Sequence, residues 1–122
     1  QSCIINIDDA WGAKLAAQLK ADNQKVVTFA QNNKADLTAE NIEVSLIKGT
    51  SFLLKTPVGE RKIISPLVGK PHVYNILSAC GASLELGYDL DSIQKGLEKC
   101  AGAPGRFERV PHPGGEFAVV VD

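Results

Sequence analysis

The sequence predicts an α/β fold: a partial parallel sheet with flanking helices, joined to a small antiparallel β meander. Three observations carry that expectation. Residues 3–29 run from a β-branched apolar stretch through an amphipathic one to a second apolar stretch, a strand-helix-strand unit that implies a right-handed crossover and a parallel pair. Between Ile42 and Ser65 the apolar period drops to two with turn residues between the runs, which signals hairpins. From Pro71 onward the period lengthens again to that of helices.

Each element is argued from its residues. Cys3-Ile4-Ile5-Asn6-Ile7 is a short strand, and Asp8-Asp9 stands ready to cap a helix directly after it. Ala10 to Ala21 places Trp11, Leu15 and Leu19 at i, i+4 and i+8, the expected buried face of a helix that stops at Asp22-Asn23. Val26-Val27-Thr28-Phe29 reads as a buried strand. Ile42, Val44 and Leu46 alternate with polar residues, Gly49-Thr50 is the expected turn, and Phe52-Leu53-Leu54 returns. After a second turn at Pro57 to Glu60, Arg61 to Ser65 supplies a third antiparallel strand. Pro71 opens a helix, as proline favours the first turn; Val73, Ile76, Leu77, Cys80 and Leu84 line it, and Gly87 closes it. Asp89 or Asp91 caps another helix with Leu90, Ile93 and Leu97 inward, broken at Gly102-Ala103-Pro104-Gly105, and the two helices are expected to pack as a pair. Arg106 to Val110 alternates, Pro111 to Gly115 turns, and Phe117 to Val121 is a further apolar strand ending in Asp122.

Composition bounds the function. With 122 residues, 44% hydrophobic and 22% charged, the chain is one globular domain's worth of sequence. Lys+Arg 13 against Asp+Glu 14, without a block of like charge, excludes a dedicated nucleic-acid or membrane-surface binder. Cys3, Cys80 and Cys100 fit neither a disulfide framework nor a zinc pattern and read as buried reduced thiols. With no sequon, signal peptide or long apolar run, they point to the cytoplasm. There is no methionine, even at position 1, and the chain begins and ends close to apolar runs, the expected look of an excised piece.

Asp8-Asp9 at a strand end could hold Mg²⁺, as in a phospho-receiver domain, but the acceptor Asp such a domain needs is missing from the run Ser51 to Lys55, and helix capping is the simpler reading. A Gly-x-x-x-x-Gly-Lys-Ser/Thr phosphate loop is absent, because Gly69-Lys70 lacks both the upstream Gly and the following hydroxyl. His72 and His112 have no metal-ligand spacing, and His112 reads as a solvated turn residue. The remaining constellation is Gly69-Lys70-Pro71-His72-Val73-Tyr74-Asn75, then Gly105-Arg106-Phe107-Glu108, then Val119-Val120-Val121-Asp122. Singly these are a polar helix face, a strand edge and a terminus. Together they suit a nucleotide: an amide for an adenine edge, a guanidinium for phosphate and a carboxylate for ribose hydroxyls.

That order and spacing resembles the second half of the central ATPase domain of Mur ligases, over essentially the whole chain. Ile5-Asn6-Ile7-Asp8-Asp9-Ala10-Trp11-Gly12 is similar to that family's Asn-x-Asp-Asp-Pro-x-Gly turn, with Ala10 in the proline position. Phe29 to Asn32 and Ala35-Asp36-Leu37 resemble the segment leading into its meander; Val73 to Ala79 and Pro104 to Glu108 are the most specific pieces. The resemblance implies that residues 1–122 are the C-terminal part of such a domain, truncated at both ends. It implies that Asn75 contacts the adenine, Arg106 the ribose-phosphate portion of ATP and Asp122 the ribose. His72, where the family often has Asn, either joins the adenine side or only opens its helix.

The implied parent activity is ATP-dependent amide-bond formation through an acyl phosphate. It adds the third stem-peptide residue, diaminopimelate or lysine with diaminopimelate the favoured of the two, to UDP-N-acetylmuramoyl-L-alanyl-D-glutamate. ATP and Mg²⁺ are the implied cofactors, with the phosphate loop and the Mg²⁺ ligands outside this chain, so no catalytic residue is expected within it. A non-catalytic nucleotide-binding or interaction module and a folylpolyglutamate synthetase-like ligase are the alternatives. An uncovered sheet edge is expected to favour self-association.

Overall fold

The computed structural model describes residues 1–104, 106, 108–110, 114 and 119–121, without the side chain of Arg109. β1 (Ser2–Asn6), α1 (Ala10–Ala21) and β2 (Lys25–Ala30) form the expected βαβ unit, with Cys3 opposite Val26 and Ile5 opposite Thr28 in a parallel pair. Asp9 caps α1 by accepting the Gly12 N–H at 2.8 Å. The buried face of α1 is not the expected one: Trp11 is 75% exposed and Leu15 48%, while Ala16 is buried. Close approach is the reason. A Cβ on Gly12 would lie 1.9 Å from the Asn6 carbonyl oxygen, so the side of α1 that meets the sheet has to be made of small residues.

β3 (Leu37–Ser45) runs parallel to β2 only over Phe29–Leu37 and Ala30–Thr38, then antiparallel to β4 (Gly49–Thr56), which pairs with β5 (Gly59–Ser65). Strand order is β1-β2-β3-β4-β5. Just before β3 begins, Asp36 replaces a strand neighbour for β2: its carboxylate accepts the Thr28 N–H and hydroxyl, both at 2.8 Å, satisfying a group that would otherwise lack a ladder partner. A register shift between Glu40 and Glu43 breaks the alternation of β3, leaving Val44 and Leu46 exposed although Ile42 packs against the core. The expected turn at Gly49-Thr50 lies earlier, where the Ser45 hydroxyl accepts from the N–H groups of Ile47 and Lys48. Gly49 is instead the first residue of β4, at φ +88°, where a Cβ would sit 2.1 Å from the Ser65 carbonyl oxygen.

α2 (Lys70–Glu85) starts with Pro71 in its first turn and ends at Leu86 and Gly87. Val73, Ile76, Leu77 and Cys80 are buried against Phe29, Leu37, Phe52, Leu54 and Ile63, forming the core. Each large apolar side chain removed from water there contributes on the order of 1.5–3 kcal/mol. Burial pushes the Cys80 thiol up to about 12, which makes it a packing residue; Cys100, by contrast, is exposed, not buried as its composition suggested. α3 (Leu90–Lys99) is capped by Asp89, which accepts the Ser92 N–H at 2.7 Å. It touches α2 but lies chiefly along β5, tied by Gln94 to the Lys62 carbonyl at 2.8 Å and by Asp91 to Arg61 at 3.0 Å. β6 (Glu108–Val110) and β7 (Val119–Val121) form a separate antiparallel pair. No described helix is long and apolar enough to cross a membrane. The expectations placed on Gly105, Phe107, His112, Phe117 and Asp122 lie outside the described residues.

Candidate functional site

Open α/β sheets bind ligands beyond the carboxyl ends of their parallel strands, and here β1 and β2 end side by side. The Ile7 N–H reaches the Phe29 carbonyl at 3.0 Å, and the chain then turns so that Asp8 meets the segment after β2. The Asp8 carboxylate accepts the Gln31 N–H at 2.6 Å, the Asn32 N–H at 3.1 Å, the Asn33 side-chain amide at 2.7 Å and the Tyr74 hydroxyl at 2.8 Å. The Gln31 side chain donates to the Lys70 carbonyl at 3.2 Å. The beginning of α2 is thereby fastened to the ends of both parallel strands.

That geometry sets the electrostatics. Burial alone would raise the Asp8 carboxyl, but the donors from Gln31, Tyr74, Asn33 and Asn32 outweigh it and hold the group below the usual carboxylate range. Burial and the facing Asp8 charge both push the Tyr74 phenol up. At neutral pH the contact is therefore a neutral phenol donating to a carboxylate.

His72 and Asn75, three residues apart, share one face of α2 near its start. Asn75 is exposed and His72 half-buried, its backbone N–H on the Gly69 carbonyl at 3.1 Å. Among the described residues no side chain caps this helix, and Gly69 at φ +114° leads into its positive end. Arg106 is exposed in the bend after α3, its N–H on the Ala103 carbonyl at 3.3 Å. Among the described residues no hydrogen bond or ion pair joins it to α2. The structure thus places His72 and Asn75 together on α2 and Arg106 in the bend that follows α3.

An exposed amide that can both donate and accept, a neighbouring imidazole and a helix N-terminus gather at the start of α2. Asp8 and Asp9 both serve as acceptors within the fold, and no group of three His, Cys, Asp or Glu gathers among the described residues. A cavity of about 660 Å³ lies at the other end of α2, lined by Val26, Leu84, Tyr88 and Leu90, beside the notch left where β3 starts late. Tyr74 and Gln31 lie within family-like runs of the sequence, but neither they nor Asn33 carry a readable role there. The one signal for them is the acid doublet, since a helix has one N-cap and the second carboxylate must find other donors.

A sheet that is parallel in its first half and antiparallel in its second, with a helix N-terminus and an exposed amide near the parallel strand ends, defines a mixed-sheet α/β domain. Residues 1–83 match the family model for the Mur ligase middle domain, and the chain belongs to that family. It is 42% identical over 119 residues to a UDP-N-acetylmuramoyl-L-alanyl-D-glutamate–2,6-diaminopimelate ligase from Gloeobacter violaceus, covering 98% of this chain and 23% of the relative. A ligase of the same name from Bacillus velezensis is 40% identical, with 98% and 23% covered. Among solved structures, MurF from Acinetobacter baumannii superposes with a TM-score of 0.83 at 27% identity over 99% of this chain and 25% of that one. The chain therefore spans about a quarter of the length of these proteins.

Proposed function

We propose that residues 1–122 are the C-terminal part of the central domain of a cytoplasmic ATP-dependent ligase that adds diaminopimelate to UDP-N-acetylmuramoyl-L-alanyl-D-glutamate. Near-complete coverage of this chain, at 42% identity, by relatives bearing that name carries the reading. It favours a Mur ligase over a folylpolyglutamate synthetase-like enzyme or a non-catalytic module. In such a ligase ATP phosphorylates the substrate carboxylate, and the incoming amine displaces phosphate to form the amide. This chain's part is binding. Asn75 offers a donor and an acceptor to the adenine edge with His72 beside it, Arg106 matches ribose-phosphate oxygens, and Asp122 accepts from the ribose. Mg²⁺ and the phosphate loop fall to segments other than this one.

Calorimetry with ATP tests the assignment. Asn75→Ala removes neutral hydrogen bonds worth about 0.5–1.5 kcal/mol, and Arg106→Ala a charged contact worth about 1.5–3 kcal/mol. Both variants are expected to bind more weakly, Arg106→Ala the more so. Binding indifferent to both substitutions would refute the assigned contacts.

A further inference from the structure

Resting on the nucleotide reading above, we infer that Asp8 is a positioning residue for Asn75: its carboxylate ties Tyr74 of α2 and the Gln31–Asn33 turn to the end of β1, and so sets where Asn75 stands. Capping does not account for Asp8, because Asp9 caps α1. Both oxygens are engaged. Oδ2 accepts from the Gln31 and Asn32 N–H groups and the Tyr74 hydroxyl, and Oδ1 from the Asn33 side-chain amide. These donors come from two segments that the chain brings together only in the fold, 23 to 66 residues away from Asp8.

The core cannot do the same work. Val73, Ile76, Leu77 and Cys80 hold α2 against the sheet, but apolar burial is non-directional and tolerates small rotations and slides of a helix. A hydrogen bond to an ionised group is directional and about twice as strong as a neutral one. Tyr74 immediately precedes Asn75, so the Asp8–Tyr74 contact fixes the rotation of α2 within one residue of the amide that meets the base. The Gln31 side chain on the Lys70 carbonyl adds a second tie one turn earlier. Asn75 itself, exposed, has nothing that would orient the helix for it.

Two substitutions test this in the full-length polypeptide. Tyr74→Phe deletes the hydroxyl and leaves the ring in place. Asp8→Asn keeps the shape but turns an NH₂ toward groups that are already donors. Each is expected to weaken ATP binding three- to tenfold by calorimetry and to raise KM for ATP by a similar factor, with kcat within twofold. The double variant should be no weaker than the worse single one, since the two share one contact. Absorbance titration of the tyrosines should show the high-pH phenol lost in Tyr74→Phe and returned toward the ordinary range in Asp8→Asn. ATP affinity and KM equal to the unsubstituted protein in a folded Tyr74→Phe variant overturn the inference, whether or not Asp8→Asn folds. Absence of ATP binding in the unsubstituted protein overturns it together with the nucleotide reading. Weakened binding in the variants without ligase turnover in the unsubstituted protein supports it and overturns the ligase reading alone.

Discussion

The fold uses the ionised form of Asp8. Its folded-state pKa lies below the unfolded value near 3.9 because the donors from Gln31, Tyr74, Asn33 and Asn32 outweigh the burial that opposes them. A depressed carboxyl contributes stability that is fully present above the unfolded pKa and is lost as pH falls through the folded one. Glu85, held by Lys25 at 2.7 Å and by the Ser2 hydroxyl, and Asp89 at the α3 cap are shifted in the same direction. Asp8→Asn should therefore be less stable than the unsubstituted chain at neutral pH, by a margin that stays constant down to about pH 5 and narrows below about pH 4. Urea unfolding at several pH values measures that margin. A margin that is the same at pH 7 and pH 3 would show that the Asp8 charge is not what the fold uses.

At the scale of elements, Gly12 governs how α1 sits on β1. An added Cβ would meet the Asn6 carbonyl oxygen at 1.9 Å, and that atom is backbone, which cannot swing aside as a flexible side chain would. Gly12→Ala should cost about 1–3 kcal/mol, as overpacked sites do, read as a lowered urea midpoint with an unchanged slope. Stability equal to the unsubstituted chain would mean that α1 can tilt away freely.

The same contact explains what was legible in the sequence and what was not. Periodicity located α1, but it favoured the large residues Trp11, Leu15 and Leu19, whereas backbone proximity selected the side bearing Gly12 and Ala16. In β3 a register shift at Glu40 to Glu43, with Asn41 at φ 52°, interrupted an alternation that looked continuous from Ile42 to Leu46. Gly49 signalled a turn because glycine usually does, yet here it relieves a clash between β4 and the end of β5. α2 was readable throughout, since Pro71 and Gly87 mark its ends and its core residues keep helical spacing. In the site, Asn75 and His72 stood out through a family-like run of residues. Tyr74 lies in that same run, but its role was not readable there, because it depends on a partner 66 residues away.

For the whole molecule, the two edges of the sheet differ in a way that predicts how it behaves in solution. Among the described strands β1 and β5 are the outer ones. β5 carries Glu60, Arg61 and Lys62 and is overlaid by α3, features that discourage pairing with another sheet. β1 reads Ser-Cys-Ile-Ile-Asn, with no charge and no proline to protect it. Beside it, α1 presents Trp11 and Leu15 to solvent, with the Lys14 ammonium 5.6 Å from the indole ring. An unprotected strand edge next to an exposed apolar helix face is a surface that another copy can cover. The 122-residue chain is accordingly expected to self-associate as its concentration rises, measured by light scattering or sedimentation. Trp11→Lys with Leu15→Lys should shift the chain toward monomer with little change in its thermal midpoint, because Trp11 is 75% and Leu15 48% exposed. A monodisperse monomer at high concentration would show that β1 and α1 are not sticky as they stand. Association undiminished by the paired lysines would instead place the contact on the strand edge alone.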